Sequence, residues 1–545
     1  MSSEFSLLIK TLLNGPIQQA PQQQIISDGL GSYSYVEFIN RLSRFGQLLR
    51  RFGVGRGDVV AIMDWDTHRY LESFFAVPML GATLHTVNIR LSPSQIAYTI
   101  DHADDDVILV HVDFLPLLEE VMPQVKRDVR LIIMRDAPDR ELPHTTLQIE
   151  AILDELFLEA DSDFSFPNFD ENTRATTFYT TGTTGDPKAV AYSHRQLVLH
   201  TMGILATLGP MSASNRFHNR DVYMPVTPMF HVHGWGFPYA ATMLGLKQIY
   251  PGRYVPNRLM ELVCEHRVTF SHCVPTILHM LLGCNAAASA DLSNWKVVIG
   301  GSALPRGLAE QALARGINLF SAYGLSETCP FLTVAHLDPN DEGDIEARLK
   351  TGRPAAMVEI RVVDAVMNDV PRDGKSVGEI VARAPWLNKA YLKDEVATKA
   401  LWRGGYMHTG DVGKFDERGN LIITDRVKDV IKSGGEWISS LTLESIASTV
   451  PGVAEVAAIG IPDSRWGERP MLVVVQDNSN QTTASDRKNI IQEMIKIAYQ
   501  EAIAAGVISK WASPNRIDIV DKIAKTSVGK IDKKTLRTTI LNAET

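Results

Sequence analysis

Cysteine is scarce in this chain. Cys264, Cys273, Cys284 and Cys329 are all that occur in 545 residues, and no two of them form C-x-x-C. That spacing gives no ground for a zinc knuckle or a dithiol redox motif, and it suits reduced thiols in a cytosolic protein. Long apolar runs are missing too; none approaches the roughly 18 residues that a membrane-spanning helix needs. The first ten residues, M-S-S-E-F-S-L-L-I-K, lack a basic stretch followed by an apolar core, so no secretory leader is expected. Positive charge is in deficit, with 54 Lys and Arg against 63 Asp and Glu and a net charge of −9. That balance disfavours nucleic acid as the main partner. There is no internal repeat and no low-complexity tract, which argues against a solenoid or a disordered linker protein.

What remains is ordinary globular composition, 45% hydrophobic and 21% charged. The length is too great for one core and suggests about three to four structural units. Ser34-Tyr35-Val36-Glu37 reads as a capping box. Phe38, Leu42, Phe45 and Leu49 follow at helical spacing, and Gly53 can close the helix. Val59–Met63 and Val107–Val112 are short apolar strands, with a further strand-to-helix unit from Met79 through Ile100. Strands alternating with helices predict βαβ units and mostly parallel sheets. The acidic stretch 141–173 is expected to be an irregular surface connection. Lys414–Thr424 reads as a hairpin turning at D-E-R-G-N. Beyond it, Val456–Ile461, Met471–Val475 and Ile517–Val520 predict strands. Ile491, Met494, Ile495 and Ala498 predict one apolar helix face, enough for a small separate α/β domain.

The most pointed stretch is Tyr179–Lys188, Y-T-T-G-T-T-G-D-P-K. Seven of its ten residues are Gly, Thr or Tyr, and two glycines free the backbone to turn N–H groups inward. Such a nest, with threonine hydroxyls and a lysine, suits phosphate oxygens. Asp186 and Pro187 separate Gly185 from Lys188, so this is no Walker loop. Pro225–Phe237 reads P-V-T-P-M-F-H-V-H-G-W-G-F. His231 and His233 form H-x-H, a spacing that packing or a substrate wall explains better than metal ligation. Val297–Pro305 runs an apolar strand into Gly300-Gly301, where α/β sheets bind ligands. In A-Y-G-L-S-E-T, Tyr323 can stack on a flat base, Glu327 can hold a hard cation and Thr328 can donate to phosphate.

These motifs, with T-G-D (409–411), D-R-V-K-D-V-I-K-S-G-G-E-W (425–437) and K-T-S-V-G-K (525–530), occur in one order. Together they resemble the adenylate-forming superfamily of acyl-CoA synthetases, luciferases and peptide-synthetase adenylation domains. F-H-V-H-G-W-G-F and S-G-G-E-W-I-S are most similar to medium- and long-chain fatty acyl-CoA ligases and relatives that activate aryl or thioether acids. The resemblance implies an α/β fold: a large N-terminal domain (1–425) of βαβ-type subdomains with parallel sheets and a β-rich part, a hinge at 426–428, and a small mobile C-terminal domain (429–545). It implies ATP, Mg²⁺ and coenzyme A as cofactor and co-substrates, a small carboxylic acid as substrate, and a possible homodimer in the cytoplasm.

By the same resemblance, Thr180, Thr181, Gly182, Thr183, Thr184, Gly185 and Lys188 would cradle phosphates, and Thr181 with Glu327 would hold the metal. Gly300, Gly301 and Ser302 would edge the adenine, and Tyr323 would stack near it. Thr328 would touch the α-phosphate, Asp411 and Arg426 the ribose. Lys432 would also serve the nucleotide. His231 would lie by the substrate carboxylate. Trp235, Phe237, Val274 and Gly324 would wall the acyl pocket. Gly434, Gly435, Glu436 and Trp437 would form the loop serving coenzyme A, Lys428 the hinge, and Lys530 the charge between carboxylate and α-phosphate. Two departures stand out: Ala189 and Ala524 replace the usual Gly and Pro of the first and last motifs. The rival readings are an adenylating enzyme that loads a carrier protein or feeds an oxidation, and a catalytically silent adenylate-binding protein. The chain's end soon after Lys530 favours a free-standing ligase over the former, and retention of Lys530, Glu327 and Asp411 speaks against the latter.

Overall fold

The computed structural model describes residues 5–544 apart from 137–139, 161, 181–185, 212–214, 338–343, 427, 434–435, 478–483 and 526–530. Two large sheets carry most of the chain. The seven-stranded sheet runs Ile149–Ile152, Arg130–Met134, Val107–His111, Val59–Met63, Thr83–Thr86, Arg174–Thr180, Lys188–Ser193. Its strands are parallel except for the last pair. Every residue of Val59–Met63 and Val107–His111 is buried, as a parallel sheet covered on both faces demands. The predicted strand at 107 stops one residue early, because Val112 opens a 3₁₀ turn. The nine-stranded sheet has a parallel centre: Asn318–Tyr323, Lys296–Ile299, Phe270–Cys273, Val222–Tyr223, Lys247–Tyr250 and Gln24–Ser27.

Helices cover these sheets where the apolar periodicity placed them. Ser34 caps the helix Tyr35–Arg51 by accepting from the Glu37 amide, worth about 1 kcal/mol. Phe38, Leu42, Phe45 and Leu49 are all buried against the sheet. At about 1.5–3 kcal/mol per fully buried apolar side chain, this face outweighs the cap several-fold. A third sheet is antiparallel, built from Glu359–Val363, Gly378–Arg383, Tyr406–Phe415, Trp402–Arg403 and Leu421–Arg426. Its hairpin turns at Asp416–Asn420, where Asp416 accepts from the Arg418 and Asn420 amides.

From Ile431 onward a fourth sheet forms, with Val453–Asp463 and Gly467–Gln476 antiparallel and Arg516–Val520 parallel to the latter. Ile431, Leu443, Leu472, Val474, Ile495 and Tyr499 give it a core of its own. Helix Ala484–Ala504 contributes Ile491 and Ile495, buried, with Met494 and Ala498 packed beside them.

The stretch 141–173 corrects the expectation of an irregular surface connection. Ile149–Ile152 is an edge strand, and Leu153–Glu159 is a helix whose Asp154 pairs with Arg69. Phe164 and Phe166 lie over Gly46, where a methyl group would come within 2.7 Å of the Phe166 ring. The apolar positions Leu153, Leu156 and Phe157 are helically spaced, and they outweigh the acidic side chains around them.

Candidate active site

The strands Lys296–Ile299 and Asn318–Tyr323 are parallel neighbours, with Ile299 opposite Ser321. They end together, so Gly300-Gly301 and Gly324-Leu325 leave the sheet at the same edge, the ligand-binding edge of open α/β sheets. A cleft opens there. It is lined by His231, Trp235 and Phe237 together with Gly300, Gly301, Tyr323 and Gly324. Val232, Val298, Ala322, Leu325, Ser326, Pro330 and Phe331 complete the lining, and none of these was singled out in the sequence. Val274 does not line it; it is buried as the cap of helix Pro275–Leu282.

Two glycines are required by space. A Cβ at Gly324 would lie 1.2 Å from the Pro330 carbonyl oxygen. A Cβ at Gly300 would lie 3.2 Å from the Trp235 indole and 3.3 Å from the Ala322 carbonyl oxygen. Trp235 is itself held from behind. His272 is 5.1 Å away, ring to ring, stacked in turn on Phe237 at 4.9 Å. Tyr223 Oη and Thr227 Oγ1 sit 2.9 and 3.2 Å from the two His272 nitrogens. Burial pushes His272 down to about 3, so this ring is neutral.

The segment that carries Trp235 has inverted handedness. Val232, His233, Gly234, Trp235 and Gly236 have φ of 49, 54, 55, 60 and 76°. This is one turn of left-handed helix, which costs roughly 1–2 kcal/mol for each residue other than glycine. Its effect is to separate the two histidines. His231 faces the cleft. His233 is fully buried among Phe74, Phe178, Tyr192 and Tyr239, with ring centroids 5.0–6.3 Å away. Burial holds it at about 3, and the pair cannot ligate one ion.

At the cleft's polar end, the Tyr323 hydroxyl donates to Asp411 Oδ2 at 2.7 Å, and Arg426 Nε meets Asp411 Oδ1 at 3.0 Å. Burial, then the Asp411 charge, raise the Tyr323 phenol well above its usual range, so it stays a donor. Thr328 is fully buried, and its hydroxyl lies 3.0 and 2.7 Å from the Leu325 and Pro330 carbonyls and 2.8 Å from the Leu325 amide. It ties the turn that presents Glu327. Glu327 accepts from the Tyr391 hydroxyl at 2.6 Å.

Thr180 pairs with Lys188 across the antiparallel strands that flank 181–185. Thr181, Gly182, Thr183, Thr184 and Gly185 lie outside the described residues, as do Gly434, Gly435, Lys530 and the side chains of Glu436 and Trp437. Ser302 is exposed beyond Gly301. Lys432 lies in the strand Ile431–Ser433, with its amide donating to Glu468 at 2.8 Å. Lys428 is exposed beside Asp429, whose carboxylate meets Arg537 at 3.2 Å. The two departures are absorbed. The Ala189 methyl joins Tyr179, Ala103 and Leu392 in an apolar cluster. Ala524 keeps its carbonyl bonded to the Asp532 amide. Among the described residues no three His, Cys, Asp or Glu side chains converge as a metal cage.

Doubly wound sheets, a largely apolar cleft at their strand ends and a Tyr–Asp–Arg cluster at Tyr323 suit a protein that binds a nucleotide beside an apolar ligand. The comparisons with known proteins give the family. The model for "AMP-binding enzyme" matches residues 16–392, and that for "AMP-binding enzyme C-terminal domain" matches 442–530; the chain belongs to this family. It is 38% identical over 512 residues to a long-chain-fatty-acid–CoA ligase of Thermus thermophilus, covering 92% of this chain and 89% of that protein. It is 35% identical over 547 residues to a 3-methylmercaptopropionyl-CoA ligase of Ruegeria pomeroyi, covering 97% of each. Among solved structures, an anthranilate CoA ligase bound to anthranoyl-AMP matches with a TM-score of 0.86 at 21% identity, over 100% of this chain and 99% of that one. ATP-bound MatB from Rhodopseudomonas palustris matches at 0.81 and 23%, over 99% and 100%. The last two speak for the fold alone.

Proposed function

We propose that this chain is an ATP-dependent, AMP-forming acyl-CoA ligase for an apolar carboxylic acid, a medium- or long-chain fatty acid or an aryl- or thioether-substituted one. The observation that carries this reading is the continuity of the cleft: its apolar wall of Trp235, Phe237, Val298 and Phe331 runs directly into the Tyr323 and Gly300-Gly301 edge. No Asp, Glu, Lys or Arg lines it among the described residues, which suits an acid whose far end is uncharged. The names of the relatives, a long-chain fatty acid ligase and a methylmercaptopropionate ligase, support the same class.

In the first step a carboxylate oxygen of the acid attacks the α-phosphorus of ATP, pyrophosphate leaves, and an acyl-adenylate forms. In the second, the thiol of coenzyme A attacks the acyl carbon and AMP leaves. Both need positioning and charge control more than covalent help from the protein. Tyr323 would face the base. Asp411, already aligned by the Tyr323 hydroxyl and Arg426, would accept from the ribose hydroxyls. His231 at the cleft wall would receive the carboxylate. The 180–188 motif would hold the outer phosphates, and Lys530 would place a positive charge between the two anions.

Mg²⁺ fits the donor set. Glu327 offers a carboxylate with one oxygen bonded to Tyr391 and the other without a partner among the described residues. Mg²⁺ commonly takes one or two carboxylates together with substrate phosphates and waters. Bound there, it would neutralise charge on the phosphate oxygens. We place the domain change between the two steps at 426–428, with Lys428 as hinge, 1–425 before it and 429–545 after it. The Gly434–Trp437 loop would then face coenzyme A.

The test is ATP–pyrophosphate exchange over a panel of acids, followed by thioester detection with coenzyme A. Exchange and acyl-CoA with apolar acids is the expected result. Exchange without free thioester would favour carrier loading, and no exchange with any acid would overturn the ligase reading.

A further inference from the structure

Glu327 and Lys188 belong to separate segments, and one side chain touches both. Tyr391 Oη donates to Glu327 Oε1 at 2.6 Å, and the Lys188 ammonium lies 4.9 Å from the centre of the Tyr391 ring. The backbone around Tyr391 is tied on three sides. Its own amide donates to Thr398 Oγ1 at 3.0 Å, and the Leu392 amide donates to the Ala189 carbonyl at 3.1 Å. Val190 forms a β-bridge with Tyr391 itself, and the Asn388 amide donates to the Glu327 carbonyl at 2.8 Å. The segment Asn388–Leu392 is thus a strap across the strand that leaves the phosphate motif and the turn that carries the acid.

We propose that Tyr391 is a positioning residue for the metal and nucleotide: its hydroxyl orients Glu327 toward a divalent cation, and its ring steers Lys188 toward the phosphates. This rests on the ligase reading above. A hydroxyl donating to one carboxylate oxygen stops the carboxylate from rotating and leaves the second oxygen to face the cation. It also draws electron density from the carboxylate, which tunes its hold on the metal, as outer-shell partners of metal ligands do. The ring below Lys188 offers a cation the negative face of a π-system and narrows the range of the long side chain.

Two variants separate the two roles. Tyr391→Phe removes the oxygen and keeps the ring. Half-saturating free Mg²⁺ in ATP–pyrophosphate exchange should rise about tenfold, the lower end for losing an outer-shell partner, while the KM for the acid moves less than twofold. Tyr391→Leu removes the ring as well and should further weaken ATP binding measured in EDTA, where Tyr391→Phe stays near wild type. Calorimetric titration of ATP with and without Mg²⁺ reads both effects without any acid. It therefore tests Tyr391 even if no acid supports exchange, an outcome that would overturn the ligase reading by itself. An unchanged Mg²⁺ dependence in Tyr391→Phe, with or without a lower melting temperature, overturns the positioning role and leaves a packing one.

Discussion

Replacing Gly300 by alanine tests whether Trp235 limits the acyl cleft. The new methyl would stand 3.2 and 3.3 Å from the indole Cη2 and Cζ3 atoms and 3.3 Å from the Ala322 carbonyl oxygen. Comfortable carbon–carbon contact begins near 3.5 Å, so the indole must give by roughly 0.3 Å. It cannot retreat, because His272 stands behind it, stacked on Phe237 and bonded to Tyr223. The indole is therefore displaced into the cleft. Overpacking by one methyl costs typically about 1–3 kcal/mol. An acid that fills the cleft should bear that cost as a loss of about 10- to 100-fold in kcat/KM, whereas a short acid should lose less than about twofold. The assay is exchange across acids of graded bulk. Because the clash is chiefly with the indole, Trp235→Ala in the same chain should restore the bulky acids. Gly324→Ala is the contrast: its methyl would meet a backbone carbonyl at 1.2 Å, and activity should fall for all acids alike. A uniform loss in Gly300→Ala, or no rescue in the double variant, would refute the reasoning.

Lys530→Ala should cut adenylation by about 10²–10³-fold and leave thioester formation from supplied acyl-adenylate near wild type; equal loss in both half-reactions would count against its proposed role. Lys428→Pro fixes φ near −65° and should spare adenylation while slowing thioester formation, read by single-turnover kinetics of each step. Asp66 gives a pH test. It is buried, and desolvation raises it from 3.8 to about 7, against the Met229 amide, the Tyr254 hydroxyl and Arg90, with Asp64 adding to the rise. An acid raised in the folded state stabilises the fold while protonated, and that stability is lost as pH climbs from about 4 through 7. The loss is up to about 4 kcal/mol. Asp66→Asn should remove this slope from the melting temperature between pH 4.5 and 7.5; an unchanged slope would show that the carboxyl is ionised throughout.

The frame was legible because its strands are single-purpose. V-V-A-I-M and V-V-I-G-G are too apolar for any place but a parallel sheet, and the glycines that follow the second mark where the backbone must pass close to something. His231, Trp235, Phe237, Gly324 and Tyr323 were legible through motif order, and they meet in one cleft. Tyr391 was not. Its meaning arises from a hydrogen bond to a residue 64 positions away, and nothing in W-L-N-K-A-Y-L announces that crossing. Val274 misled because it opens V-P-T at the end of a strand of the same sheet, where a ligand-facing side chain is expected, while here it stands at the N-cap position of a helix and its side chain is sealed in the core. The handedness of 232–236 could not be read either. A β-branched valine and a tryptophan are poor residues for φ > 0, so local preference points the wrong way and tertiary packing decides.

That left-handed turn also shapes how the protein can change. Val232, His233 and Trp235 together hold roughly 3–6 kcal/mol of conformational strain, a large share of the net stability of an ordinary domain. Glycine or asparagine at any one of these positions would relieve about 1–2 kcal/mol of that strain but empty space that the buried side chain fills, at a cost of about 2–5 kcal/mol. It would also soften the segment that sets both a cleft wall and the separation of the two histidines. Packing thus holds the strain in place, and variation among these five residues is expected to track the acid used rather than the temperature of growth.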